Sequence, residues 1–398
     1  MINLQIKPFK PFMFSNSADM VTSPPFDSIT GEQEAKLKSF PHNITHLTLP
    51  RGPSGIETAS RNLAAWINEG VLVRSEKETI LVVVQEFRIG GEKLQRSGII
   101  TLVRVLPEDG TIVPHERTFP GPVKERATLM GGIGAQLEPI FLAVPSSNFE
   151  KLLKKIIASE KTAMVFEEPA GVRNSIYCIS EASSIEKIQE TLLPERAIVA
   201  DGHHRLRASI FLAENSTGRE KEFWSYTMSY ITSVYERGLL ISGVHRLVSP
   251  SISVDRIVGN LRNFFSVSEH TSLDRINHIT LYNGKFIELI PNDRALETIK
   301  NQDPESYVST SVIVNEFLFK RLGQMNERDI ENEVRYTHDM SVAIKRVDDK
   351  QSSFAVLMPE WDKDEFIRLA SKNKILPQKS TYFYPKIPSG IAINKLDP

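Results

Sequence analysis

The chain has 398 residues, 40% of them apolar and 24% charged, with a formal net charge of -1. That length gives two or three domains with buried cores, in a composition typical of a soluble globular protein. A nearly neutral chain offers no general basic field for nucleic acid or an anionic membrane, so neither is an expected partner.

The longest apolar runs, such as Ile80 to Val84, are too short to span a bilayer. The opening "MINLQIKPFKPFMF" has no signal-peptide pattern, and a cytoplasmic location is expected.

In chain order, Pro24 and Pro25 exclude a ladder strand and mark a loop through Phe26 and Asp27, read as a rigid connection. A short helix is predicted over 32–40, ending before Pro41. Leu63, Trp66 and Ile67 share one helical face, with Gly70 as the stop. "ETILVVVQEFRIGG" is a strand entering a glycine turn, and "RSGIITLVRVL" is its hairpin partner.

A new unit is placed from Gly98. It contains the loop "TIVPHERTFPGP", a helix over about 122–136, the strand "EPIFLAV" and a helix over 148–159. Two strands, "AMVFEEP" and "SIYCIS", and the helix "SIEKIQETL" follow. Cys178, the only cysteine, excludes a disulfide framework and a cysteine zinc site, and reads as a small core residue. The strand "RAIVA" then meets the polar turn Asp201 to Arg205 and a helix, and "FWSYTMSYIT" is a further strand. The last third, from about Val244, is again a mixture of helices and strands. The fold class is α/β, α+β mixed, in three regions: 1–97, 98–240, and 241–398 with a tail at 376–391.

The turn concentrates chemistry. A helix N-terminus presents unpaired N–H groups and a partial positive charge. Asp201 is an N-cap type, and Gly202 permits a sharp turn and a close ligand. His203, His204 and Arg205 add donors at the same pole, which suits phosphate. Adjacent helical histidines diverge by about 100 degrees, so chelation of one transition metal is awkward. Mg²⁺ shared between Asp201 and substrate phosphates is the better metal reading, and a capped helix with solvated His and Arg is the plain one. "MGGIGAQLE" at 130–138 is a weak Gly-rich loop, lacking a third glycine in register.

Strand–D-G-H-H-R–helix resembles the ParB/sulfiredoxin-like fold as it occurs in free serine kinases, and in a group of longer bacterial and archaeal proteins. "VPHERTFPGPVKERATLMGGIGAQLEPIFLAV" is similar to their Pro-His-Glu segment, and "LPQKSTYFYPKIPSGI" to their C-terminal tail. "SPPFDSIT", "FPHNITHLTLP" and "GLLISGVHRLV" resemble the longer group. The resemblance implies a ParB/sulfiredoxin-like core at 98–240 that transfers phosphate from ATP or ADP, with Mg²⁺, to a small hydroxylated metabolite, free L-serine first. It implies Glu116 as catalytic base and Asp201 as catalytic and metal-holding. It implies Gly202, His203, His204, Arg205, Lys379, Ser380 and Thr381 as phosphate or substrate contacts. Arg126 faces either the phosphates or solvent. Tyr382-Phe383 replaces a basic pair of the short kinases, which bears on the acceptor. Sulfiredoxin chemistry needs a cysteine in the turn, which Gly202-His203 lacks, and no helix-turn-helix or basic patch supports DNA binding. A nucleotide-binding regulator and a nucleotide hydrolase are the alternatives.

Overall fold

A computed structural model describes residues 3–15, 20–116, 118, 120–253, 255–273, 275–305, 307, 309–372, 375–377 and 379–397. The chain forms two compact units. The first comprises 1–114, 118–240 and 385–398, and the second 115–117 and 241–384.

The first unit is built on a nine-stranded mixed sheet. Its order is Ile112–Val113, Ala197–Asp201, Ile140–Val144, Tyr226–Ser233, Glu92–Arg104, Ile80–Ile89, Arg173–Ile179 and Met164–Glu167, with Ile6–Lys7 paired to the end of Glu92–Arg104. Two pairings are parallel: Ala197–Asp201 with Ile112–Val113, and Ile140–Val144 with Tyr226–Ser233. The expected hairpin is present, closed by Gly90 and Gly91 at φ 55 and 85. Those positive angles suit the tight turn that twisted strands require.

Gly98, taken from sequence as the start of a new unit, lies inside Glu92–Arg104. A Cβ there would stand 2.4 Å from the Tyr230 ring, so this glycine makes room for an aromatic on the adjacent strand. The helices Ser147–Ser159 and Ala182–Leu192 bury Phe149, Leu153, Ile156, Ile185 and Ile188 against the sheet's Val82, Ile99 and Leu142. Each such side chain contributes about 1.5–3 kcal/mol on burial.

Helices Gly55–Asn68, Pro120–Ile133 and His203–Glu214 pack in succession. Gly131 and Gly132 sit at these contacts. A Cβ on Gly132 would lie 2.6 Å from Ile56, and one on Gly131 3.2 Å from Leu212. Gly131 and Gly132 are thus accounted for by close helix packing, and Gly134 by a φ of 67 just past the helix end. The last residues are sewn into the same unit: Asn394–Lys395 pairs with Ala135–Gln136, and Ser389 exchanges backbone hydrogen bonds with Ser23 at 2.8 and 3.2 Å.

Cys178 is exposed, contrary to the core placement expected for it. Burial along Arg173–Ile179 falls on Asn174, Ile176 and Ile179. The pairing with Ile80–Ile89 runs in unbroken register, so Cys178 shares a face with Asn174 and Ile176 and is left exposed toward the end of the strand.

The second unit carries a six-stranded antiparallel sheet in the order Phe265–His270, Phe286–Pro291, Ile279–Tyr282, Phe354–Leu357, His245–Val248 and Val334–Thr337. One face is covered by the π-helix Ile313–Leu322, which buries Phe317, Leu318 and Phe319 against Leu281, Leu289 and Phe354. Met340–Asp348 packs through Ala343 and Val347 in a separate cluster with Leu247 and Leu357. No described helix is long and apolar enough to cross a membrane.

Candidate active site

The strand Ala197–Asp201 is buried through Ala200 and ends at the polar turn. Gly202 has φ 86, which L side chains rarely adopt, and it opens the helix His203–Glu214. A Cβ on Gly202 would meet the Arg205 guanidinium and Ile140 at 3.1 Å. The group that comes close to this glycine is therefore the chain's own Arg205.

Asp201 does not cap the helix. The N-cap is Gly202, and no side chain caps the first turn. The Asp201 carboxylate is drawn to two cations instead: Oδ2 accepts from Arg205 Nη2 at 2.7 Å and Oδ1 from Lys386 Nζ at 2.5 Å. Burial alone raises this carboxyl; the Lys386 ammonium and then the Arg205 guanidinium outweigh it and hold it at about 2. Arg205 is 6% exposed and also donates from Nη1 to the Pro139 carbonyl at 2.7 Å. It orders the turn from within. His203 is buried, and His204 lies beside it at the helix start.

Further carboxylates surround Arg205. Glu138 accepts from the Phe26 N–H at 3.1 Å and from the Ser389 hydroxyl at 2.5 Å. Burial pushes its carboxyl up, while Arg205 acts against that rise. Asp27 also acts on Arg205 and Glu138 electrostatically. The loop at Pro24 to Asp27 thus meets Glu138, which in turn acts on Arg205 of the turn. Its Phe26 ring lies 4.0 Å from the Arg126 guanidinium, which is 6% exposed and donates to Thr48 and Glu125. Arg126 does not face solvent; it lines a small cavity together with Glu138 and with Arg205 of the first turn.

Lys386 has no counterpart among the residues singled out from sequence. Its placement depends on a buried polar row across the sheet. Arg96, Gln85 and Asn174 are register partners on three adjacent strands. Arg96 Nη2 donates to Gln85 Oε1; Gln85 Nε2 donates to Asn174 Oδ1 at 3.0 Å and to the Lys386 carbonyl at 3.1 Å. Asn174 Nδ2 donates to Glu168 Oε1 at 2.8 Å. A guanidinium can only donate, so it fixes both amide orientations along the row. Burial lifts the Glu168 carboxyl to about 7. The one available sequence signal was the lysine in Tyr384-Pro385-Lys386, within the quoted tail.

Glu116 belongs to the second unit, where it bridges to Leu376 beside the buried His115. His115 Nε2 lies 4.0 Å from Glu116 Oε1 and 2.8 Å from Thr381 Oγ1. The structure brings Glu116 and Thr381 together on either side of His115. The Ser380 hydroxyl is turned inward onto the Pro377 carbonyl at 2.5 Å, and its carbonyl accepts from Trp361 at 2.9 Å. Lys379 is exposed in a turn with φ 56. Phe383 is fully buried against Phe366, while Tyr382 stacks on His338 at 4.1 Å.

Both oxygens of Asp201 carry cations, and among the described residues no three His, Cys, Asp or Glu converge on one point. These residues do not fit a directly held Mg²⁺.

A family model described as a protein of unknown function, DUF1015, matches residues 6–314. No curated protein matches the chain. Among solved structures, the chain is similar to a conserved hypothetical protein from Pyrococcus furiosus at 14% identity, covering 74% of this chain and 95% of that one, with a TM-score of 0.38. It is also similar to a free serine kinase in complex with AMP at 14% identity (75% and 91% coverage, TM-score 0.39). A variant of such a kinase in complex with ADP is 12% identical (75% and 92%, TM-score 0.40).

Proposed function

The chain belongs to the DUF1015 family, and from its site residues we propose that it is a nucleotide-dependent phosphotransferase acting on a small hydroxylated metabolite, with free L-serine the first candidate. The observation that carries this reading is the Asp201 turn. A helix start without a side-chain cap lies beside Lys386, an ammonium held at 14% exposure on Asp201. Lys386 and the exposed amides of the helix start put positive charge at one pole, which suits a phosphate. The resemblance in motif order supplies the rest, including a ParB/sulfiredoxin-like core and a cytoplasmic enzyme.

In this reading the phosphates of ATP or ADP lie against the amides of residues 203–205 and against Lys386. Gly202 and Arg205 shape that turn. The acceptor oxygen attacks the terminal phosphorus, and the resemblance assigns the hydroxyl proton to Glu116. The P–O bond to the leaving nucleotide breaks, and the nucleotide keeps that electron pair. Positioning and charge neutralisation supply most of the rate. Thr381, beside His115, orients the acceptor, and Lys379 stands at the same tail. Because Asp201 is already paired, its part is to hold Lys386, and no step is routed through a metal.

The internal pairing of Asp201 and Arg205 also favours a second reading, nucleotide binding without transfer. Mass-spectrometric detection of phosphoserine after incubation with ATP or ADP separates the two. Transfer that falls at least about 100-fold in Glu116→Gln supports the first. Tight binding with the nucleotide left intact supports the second.

A further inference from the structure

Arg246 lies in the second unit on the strand His245–Val248 and is 3% exposed. Its Nη1 donates to the Val244 carbonyl at 2.5 Å, and no ion pair to Arg246 occurs among the described residues. A buried guanidinium without a bonded carboxylate is costly, and such cost is retained where a ligand relieves it.

Its surroundings lead back to Glu116. Tyr336 is the register partner of Arg246. Two residues on, His338 stacks on Tyr382, next to Thr381 and its bond to His115. Glu116 and Arg246 act on each other electrostatically, and both act on Tyr336. Burial lowers Arg246 to about 10, which leaves it charged at neutral pH. Met358 N–H donates to His245 Nδ1 at 3.0 Å, and burial lowers His245 to about 4, so this neighbour is a neutral ring with its proton on Nε2. The cluster therefore offers one fixed cation beside a candidate base.

We propose that Arg246 is the acceptor-specificity residue: its guanidinium takes the carboxylate of a small hydroxy acid whose hydroxyl is presented to Glu116. This rests on the phosphotransferase reading and narrows its acceptor to one that carries a carboxylate. A guanidinium matches a carboxylate in two parallel hydrogen bonds, which fixes the acceptor's orientation as well as its charge.

The test compares L-serine with ethanolamine, which keeps the hydroxyl and amine but lacks the carboxylate. Wild type is expected to favour serine by about 100-fold in kcat/KM. Arg246→Gln should lose that preference, with serine falling mainly through KM and ethanolamine unchanged, and Arg246→Lys should retain part of it. The Gln variant should melt at or above the wild-type temperature, because it removes a buried charge that has no bonded carboxylate. Equal use of both acceptors by wild type overturns the proposal. So does a parallel loss for both in Arg246→Gln and Arg246→Lys, or a clear drop in melting temperature, which would make Arg246 a structural counter-ion of Glu116. Calorimetric binding of serine keeps the two ideas apart. Serine binding that needs Arg246, without phosphate transfer, sustains the proposal and removes the transfer reading. Transfer that ignores the carboxylate does the reverse.

Discussion

Replacing Lys386 with methionine keeps the stem and removes the ammonium on Asp201. Lys386 and Arg205 hold the Asp201 carboxyl at about 2 against an ordinary 3.8. That difference corresponds to about 2–3 kcal/mol in favour of the ionised, paired form at neutral pH. Arg205 still engages the other oxygen, so the expected loss in Lys386→Met is about 2 kcal/mol, or about 4–8 °C in melting temperature. The sign follows from a depressed acid. The contribution is complete above the unfolded value near 4 and is lost as pH falls through the folded value near 2. The gap between wild type and variant should therefore shrink by about half at pH 3. Scanning calorimetry at pH 7 and pH 3 reads both, and Lys386→Met/Asp201→Asn should recover part of the loss. A variant that melts within about 1 °C of wild type at pH 7, or a loss of equal size at both pH values, refutes the reasoning.

Gly202→Ala places a Cβ at a φ of 86 against Arg205 and Ile140; it should cost about 1–3 kcal/mol in urea unfolding and weaken nucleotide binding by calorimetry. Gly132→Val, whose Cβ meets Ile56, should cost about 1–3 kcal/mol yet leave nucleotide affinity unchanged; a selective loss of affinity would restore a phosphate role to 130–134. Glu168 is raised to about 7 by burial, so the folded state holds its proton between about pH 4.5 and 7 and stability falls as pH rises through that window. Glu168→Gln should flatten this dependence and stabilise the chain at pH 8 by about 1–2 kcal/mol, read from denaturant midpoints at pH 5.5 and 8.

Local features of the fold were legible because their causes are local. Two glycines between alternating apolar runs specify the hairpin, and an apolar strand followed by Asp-Gly specifies the strand–turn–helix. Leu63 and Trp66 are buried as their helical spacing requires. What escaped depends on cross-strand register or on distant segments. Nothing near Gln85 announces that Arg96 and Asn174 are its neighbours, or that it holds the Lys386 carbonyl. Asp201 reads as an N-cap because its type prefers that position, but two cations compete for the same oxygens and win. Cys178 reads as a core residue by type, but it is exposed toward the end of its strand although its register is regular. Gly98 reads as punctuation and is spatial clearance for Tyr230.

The proposed function is phosphate transfer from a nucleotide to a small hydroxylated metabolite. Single-turnover transfer of labelled terminal phosphate from ATP and from ADP, with L-serine present or absent, tests it most directly. Serine-dependent label should appear in phosphoserine and fall at least about 100-fold in Glu116→Gln, with nucleotide affinity unchanged in that variant. Label that stays on the nucleotide with every hydroxylated acceptor, or transfer that Glu116→Gln leaves intact, contradicts it.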